Sequence, residues 1–141
     1  MTKEEKGKIL DFLGSYIPIR SRIAQTQKDI DMFEKRLNFE GASEYEKELM
    51  AASIQHKKER IDEDRKTLLL FETAMSDLDG LDLLVFRQLY VEGKQQNEVT
   101  DSDGRIMPRT SVKRRRDHAI EIVGDFILKF LMNAQKVMSH R

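Results

Sequence analysis

Six cations stand close together near the end of the chain, and no acidic residue lies among them. They are Arg105, Arg109, Lys113, Arg114, Arg115 and Arg116. The whole chain has a formal net charge of +0, so this positive charge is local. A guanidinium makes paired hydrogen bonds to phosphate or to the edge of guanine, and lysine contributes a point charge. The cluster therefore predicts binding to a polyanion.

The cluster begins a segment with the pattern of a long helix. Pro108 suits a first helical turn, and from there to about Val137 only Gly124 departs from the pattern. At 100° per residue, a buried Val112 places Ala119 and Val123 on the same buried face. The opposite face and its flanks then carry Thr110, Ser111, Lys113, Arg114, Asp117 and His118.

These outward side chains suit two kinds of contact with double-stranded DNA. Arg114 can read guanine, and Lys113 can do so less rigidly. Thr110 and Ser111 suit bases or phosphates, and His118 faces the same side. The remaining arginines lie more to the sides and suit phosphates, which orient a protein without specifying sequence. These are Arg105, Arg109, Arg115 and Arg116.

The segment before the cluster has the layout of a helix-turn-helix. A compact apolar run over residues 81–90 ends at Gly93, which is typical of a helix C-terminus. Residues 94–100 can form one or two further turns with Val99 inward, and residues 101–104 have the composition of a turn. The alternatives for residues 101–106 are a small protruding loop or a short hairpin around Asp103 and Gly104.

The N-terminal half predicts long paired helices. A short helix over residues 3–13 precedes a heptad-like seam at Ile19, Ile23, Thr26, Ile30, Phe33 and Leu37. A second helix should run from Ser43, which with Glu46 has capping-box spacing, to about Met75, with Lys57 and Asp64 interrupting its apolar stripe. The tight connection between them favours an antiparallel, coiled-coil-like hairpin.

The fold class is therefore predicted as all-α, with a helical hairpin over residues 1–77 and a helix-turn-helix with an extended last helix over residues 78–141. The hairpin stripes are narrow, and the last helix carries a wide apolar surface. We expect this surface to be covered by the hairpin, by a second subunit or by both, and therefore expect a homodimer. Its apolar residues are Ile120, Ile122, Val123, Phe126, Ile127, Leu128, Phe130, Leu131 and Met132.

Several function classes are disfavoured by residues that the chain lacks. There is no cysteine, and His56, His118 and His140 have no metal-ligand spacing, so we expect no metal site and no cofactor. The sequence has no glycine-rich phosphate loop or nucleophile elbow, which argues against an enzyme and a small-molecule substrate. The residues MTKEEKGKIL lack the apolar core of a signal peptide, and no apolar stretch reaches membrane-spanning length. We expect a cytoplasmic protein without membrane contact.

A family resemblance rests on LDLLVFRQLYVEGKQQNEV and the following RTSVKRRRDHAI. This region resembles region four of bacterial sigma factors, and the whole layout is similar to phage late-transcription regulators of the ArpU and RinA type. The resemblance covers about residues 78–123. It implies a non-enzymatic regulator in a bacterial host cell, with Val99 in the first helix of the motif and RNA polymerase as a further candidate partner.

The sequence also departs from that pattern, and a second function class stays open. Val99 and Val112 are 13 positions apart where the family motif has 11, and Pro108 replaces a capping Ser. The alternative is a coiled-coil assembly or packaging adaptor that binds nucleic acid without sequence preference. The two classes differ in whether one DNA sequence is preferred.

Overall fold

The computed structural model describes residues 1–139, without the side chains of Met132 and residues 135–139. Every regular element in this range is helical, which confirms the predicted all-α class. The α-helices are α1 (Lys3–Leu13), α2 (Tyr16–Leu37), α3 (Glu44–Met75), α4 (Gly80–Phe86) and α5 (Arg109–Ser139). A π-helical turn (Arg87–Val91) continues α4, and a short 3₁₀ turn (Gln96–Glu98) follows.

Two compact units make up the chain. The terminal unit combines Met1–Ile17 with Leu70–Arg141, and the central unit is Pro18–Leu69. The sequence predicted a boundary at residue 77 instead. The boundaries differ because α1 and the end of α3 bury their apolar side chains with α4 and α5, and such long-range packing leaves no mark in the local pattern.

The central unit is held by one apolar cluster and one ion pair. Ile30 packs with Ile54 and Ile61, and these three residues are 1–7% exposed. Arg22 makes two hydrogen bonds to Asp64, of 2.8 and 2.5 Å. Early residues of α2 thus contact late residues of α3. The polar interruption at Asp64 marks a side chain that is 6% exposed and paired.

That ion pair changes the titration of its acid. The Arg22 guanidinium, through its hydrogen bonds, holds the pKa of the Asp64 carboxyl below its usual value. Lys57, the other interruption of the stripe, places its ammonium 5.6 Å from the ring centre of Phe33. Both polar breaks in the seam therefore have partners within the central unit.

The terminal unit is built around Phe71. Its ring lies 4.3 Å from that of Tyr16 and 5.7 Å from that of Phe86, measured between ring centroids. Phe86 in turn packs on Tyr90 at 4.9 Å, and burial raises the pKa of the Tyr90 phenol. This aromatic column links α2, α3, α4 and the π-helical turn.

Helix α1 covers part of the apolar surface of α5. A Cβ atom on Gly124 would lie 3.5 Å from carbons of Ile9, so the helices approach closely at this position. Three residues of the predicted apolar surface, Ile120, Val123 and Ile127, are 0–2% exposed. Phe130 and Leu131 are 50% and 47% exposed. The sequence also assigns Met132 to this apolar surface, but its side chain is not among those that the structure describes.

Candidate nucleic-acid interface

A small apolar core fixes the start of α5. Val85, Val99, Met107 and Val112 are buried together, with Leu89 packed against them. The predicted inward positions Val99, Val112, Ala119 and Val123 are all 0% exposed, so the predicted rotation of α5 is confirmed. Val99 is extended and follows the 3₁₀ turn. The expectation that Val99 lies in a helix is therefore wrong.

The stretch between Val99 and α5 is a tight hairpin. The amide of Asp101 donates to the carbonyl of Arg105 at 2.8 Å, and Thr100 and Ile106 form an antiparallel bridge. Gly104 adopts φ +79°, a conformation that other residues rarely take. The longer spacing between Val99 and Val112 thus forms a short hairpin, the alternative to a simple turn.

Gln88 joins this hairpin to the preceding helical turn. The side chain is 4% exposed, and its Nε2 donates to the carbonyl of Thr100 at 2.8 Å. Its Oε1 accepts from the amide of Thr100 at 3.0 Å and from Lys94 Nζ at 3.2 Å. Sequence analysis missed this residue. Its place between the inward Val85 and Leu89 is only a weak indication in the sequence that this polar side chain is buried and hydrogen-bonded.

Part of the predicted cationic set is exposed and unpaired. Within residues 1–139, the side chains of Arg105, Arg109, Lys113 and Arg114 form no ion pair. Thr110 is exposed as well, and Ser111 is half-buried. These residues lie on the hairpin and the first two turns of α5. We call the exposed side chains of this segment the basic surface.

The other predicted contacts are engaged by acids. Asp82 is 6% exposed; its carboxylate contacts the Nδ1 of His118 and lies 3.5 Å from Arg115. Arg116 binds Asp117 at 3.2 Å. These three side chains therefore belong to α4–α5 packing and to a local pair as much as to an outward surface. Asp82 was missed, although its place three residues before the buried Val85 signals a buried acid in need of a partner.

Charge placement in α5 opposes the helix dipole. The first turns of α5 and α2 contain no acidic residue, whereas α1, α3 and α4 each have at least one acid in their first turn. A cation near a helix N-terminus is unfavourable by about 0.3–1 kcal/mol, and an anion bound there is favourable. The start of α5 is thus electrostatically suited to an anionic ligand.

A concave surface adjoins the basic surface. It has a volume of about 530 Å³ and is lined by Gln95, Gln96, Asn97, Ile106, Met107 and Arg109. A second cavity, of about 490 Å³, lies against α1 and α5 beside His118 and contains the acids Glu5, Glu121 and Asp125.

Other kinds of site find no support in the described chain. No group of three or more potential ligands among residues 1–139 has the arrangement of a metal site. His56 is exposed on α3, and His140 lies outside the described residues. No helix in that range is long and apolar enough to cross a membrane. The chain matches no known protein family, no curated protein and no solved structure.

Proposed function

We propose that the chain is a transcription regulator that binds double-stranded DNA in a sequence-specific manner. The observation that carries this proposal is the basic surface: four exposed cations without acidic partners, Arg105, Arg109, Lys113 and Arg114, beside the exposed Thr110. The first turns of a helix backed by a packed core are where helix-turn-helix proteins keep their base-reading residues. In this proposal α5 enters the major groove.

The chemistry of each side chain gives its role in that complex. Arg114 lies opposite the buried Val112 and suits a bidentate contact with guanine. Lys113 and Thr110 flank it and suit bases or phosphates. Arg105 on the hairpin and Arg109 at the first turn suit phosphates on either side of the groove. The paired residues Arg115, Arg116 and His118 have secondary roles, because a contact with DNA competes with their acidic partners.

The remaining parts of the proposal concern partners and setting. We propose that α2 and α3 form a helical hairpin that supports a homodimer, and that the exposed Phe130 and Leu131 add to the same association. The resemblance to ArpU and RinA regulators and to sigma region four suggests a late-gene activator of a phage or prophage. It would act in the bacterial cytoplasm and could contact RNA polymerase.

A second candidate function has its own observation. Phe39, Tyr45 and Leu49 are 67%, 73% and 58% exposed in the central unit, near the connection between α2 and α3. Such large apolar side chains on a surface are typical of protein association. An assembly or packaging adaptor that binds nucleic acid without sequence preference would use this surface.

Selection of bound duplexes from a random pool, followed by anisotropy titrations, separates these functions. A regulator should prefer its selected duplex over unrelated DNA by about 10³-fold or more. The variant Lys113→Ala/Arg114→Ala should bind that duplex about 10- to 100-fold more weakly. The matched control is Arg65→Ala/Lys66→Ala, which removes the same neighbouring residue types from an exposed face of α3.

Two results would overturn the proposal. Equal affinity for all duplexes would favour the adaptor function, and an equal loss of affinity in both double variants would show that the basic surface has no special role. Sedimentation velocity over a concentration series tests the dimer separately. A monomer at every concentration would remove the homodimer and leave DNA binding to be judged by the titrations.

A further inference from the structure

We propose that Gln96 and Asn97 read the edge of an A·T base pair next to the bases contacted by α5. These amides line the concave surface beside Arg109, which we call the amide groove. The inference rests on the proposed function and adds a sequence-reading element outside the long helix. It assigns the discrimination between base pairs to two uncharged side chains that are not part of the cationic cluster.

The amides are free to take a ligand. Gln96 is half-buried and Asn97 is exposed, and neither side chain forms a hydrogen bond within residues 1–139. A primary amide offers a donor and an acceptor together, which is the pattern that adenine presents at N6 and N7 in the major groove. Ile106, which is 63% exposed at the groove wall, suits contact with the thymine methyl group.

Charge favours a base edge over a phosphate at this place. Glu98 follows the two amides in the same 3₁₀ turn, where its carboxylate accepts from the amide of Gln95 at 2.9 Å. A fixed carboxylate repels phosphate but leaves a neutral base edge acceptable. Arg109 also lines the groove and supplies the phosphate contact. The two amides are therefore suited to distinguishing one base pair from another, and Arg109 is suited to strengthening DNA binding through a phosphate.

The fold holds the amides at a fixed place relative to α5. The 3₁₀ turn is followed at once by Val99, which is 0% exposed in the core with Val112. The amide of Met107, another member of that core, donates to the carbonyl of Val99 at 2.9 Å. The position of the turn is thus fixed from the α5 side, as base reading requires.

The test compares selected sequences for the full chain and for Gln96→Ala/Asn97→Ala. We expect the variant to lose about 5- to 150-fold of its discrimination at an A·T position flanking the main site, with an unchanged dependence of affinity on salt. The control Gln27→Ala/Gln55→Ala removes two exposed amides from α2 and α3 and should leave the selected sequence unchanged. Thermal unfolding by circular dichroism checks that each variant is folded.

The outcomes separate this inference from the proposed function. Specific DNA binding by the full chain with unchanged discrimination in the folded amide variant overturns the inference alone. A fall in affinity for every sequence together with a flatter salt dependence also overturns it, because that result assigns the amides to phosphates. A full chain that binds no DNA overturns both the inference and the proposed function.

Discussion

Replacing Gln88 by Met tests whether one buried amide positions the hairpin next to the basic surface. The Gln88 side chain is 4% exposed and bonds both backbone groups of Thr100, at 2.8 and 3.0 Å. Methionine fills a similar volume but offers no comparable donor or acceptor. The variant therefore leaves the amide and the carbonyl of Thr100 without their partner, and keeps most of the packing.

The size of the effect follows from those two groups. A buried backbone group left unpaired costs about 1–3 kcal/mol. Thr100 is half-buried, so water can satisfy part of the loss and the lower end applies. We expect the free energy of unfolding to fall by about 2 kcal/mol, which is roughly a 30-fold change in the ratio of folded to unfolded chain.

Urea unfolding followed by circular dichroism measures this difference. The control Gln55→Met changes an exposed amide on α3 and should remain within about 0.5 kcal/mol of the unaltered chain. Hydrogen exchange localises the effect, because the amide of Met107 bonds Val99 across the hairpin and should exchange faster in the variant. A variant as stable as the unaltered chain, with Met107 equally protected, would refute the positioning role of Gln88.

Three further predictions address the ion pairs, the packing and the electrostatics. Because Arg22 lowers the pKa of Asp64, the ion pair contributes its full stabilisation of the fold above about pH 4, and this stabilisation is lost as the pH falls through the lowered pKa. The difference in melting temperature between the unaltered chain and Asp64→Asn should therefore shrink below about pH 4. Gly124→Ala should raise the unfolding free energy by up to about 1 kcal/mol, because alanine has the higher helix propensity and the nearest atom, the side-chain end of Met1, can move aside. Gly124→Leu should lower the unfolding free energy, because its larger side chain would displace α1. The two phosphate contacts per chain assigned to Arg105 and Arg109 predict about a 12-fold loss of DNA affinity from 50 to 200 mM salt. Arg109→Ala should flatten the logarithmic slope by about 0.9, whereas the acid-paired Arg116→Ala should flatten it less. Equal slopes for the two variants would count against the surface assignment.

Several features of the fold follow from local pattern. The bounds of α1 and the end of α3 at Met75 agree with the spacing of apolar residues and with the glycine and turn residues around them. Glu46 donates its amide to the hydroxyl of Ser43 at 3.2 Å, as the capping-box spacing predicts. A helix can be located in this way because its period and caps depend on residues within one or two turns.

In the candidate site, too, some features depend on local sequence and others depend on tertiary packing. Sequence alone located the cationic cluster and the rotation of α5, because both depend on composition and a 100° repeat. It did not locate Asp82, whose contacts lie 33 and 36 positions away at Arg115 and His118. It also missed Gln88, which acts on a carbonyl and an amide 12 positions away. A partner that distant is set by how the helices pack.

The sequence by itself determined an all-helical chain with a local basic segment at the start of its last helix. Only the tertiary structure decided which of those cations remain unpaired. Arg115 and His118 meet Asp82 because α4 packs on α5, while Arg109 and Arg114 meet no acid within residues 1–139. The physical reason is that charge is a property of residue type, whereas the neutralisation of a charge depends on what the fold places within a few ångströms of it.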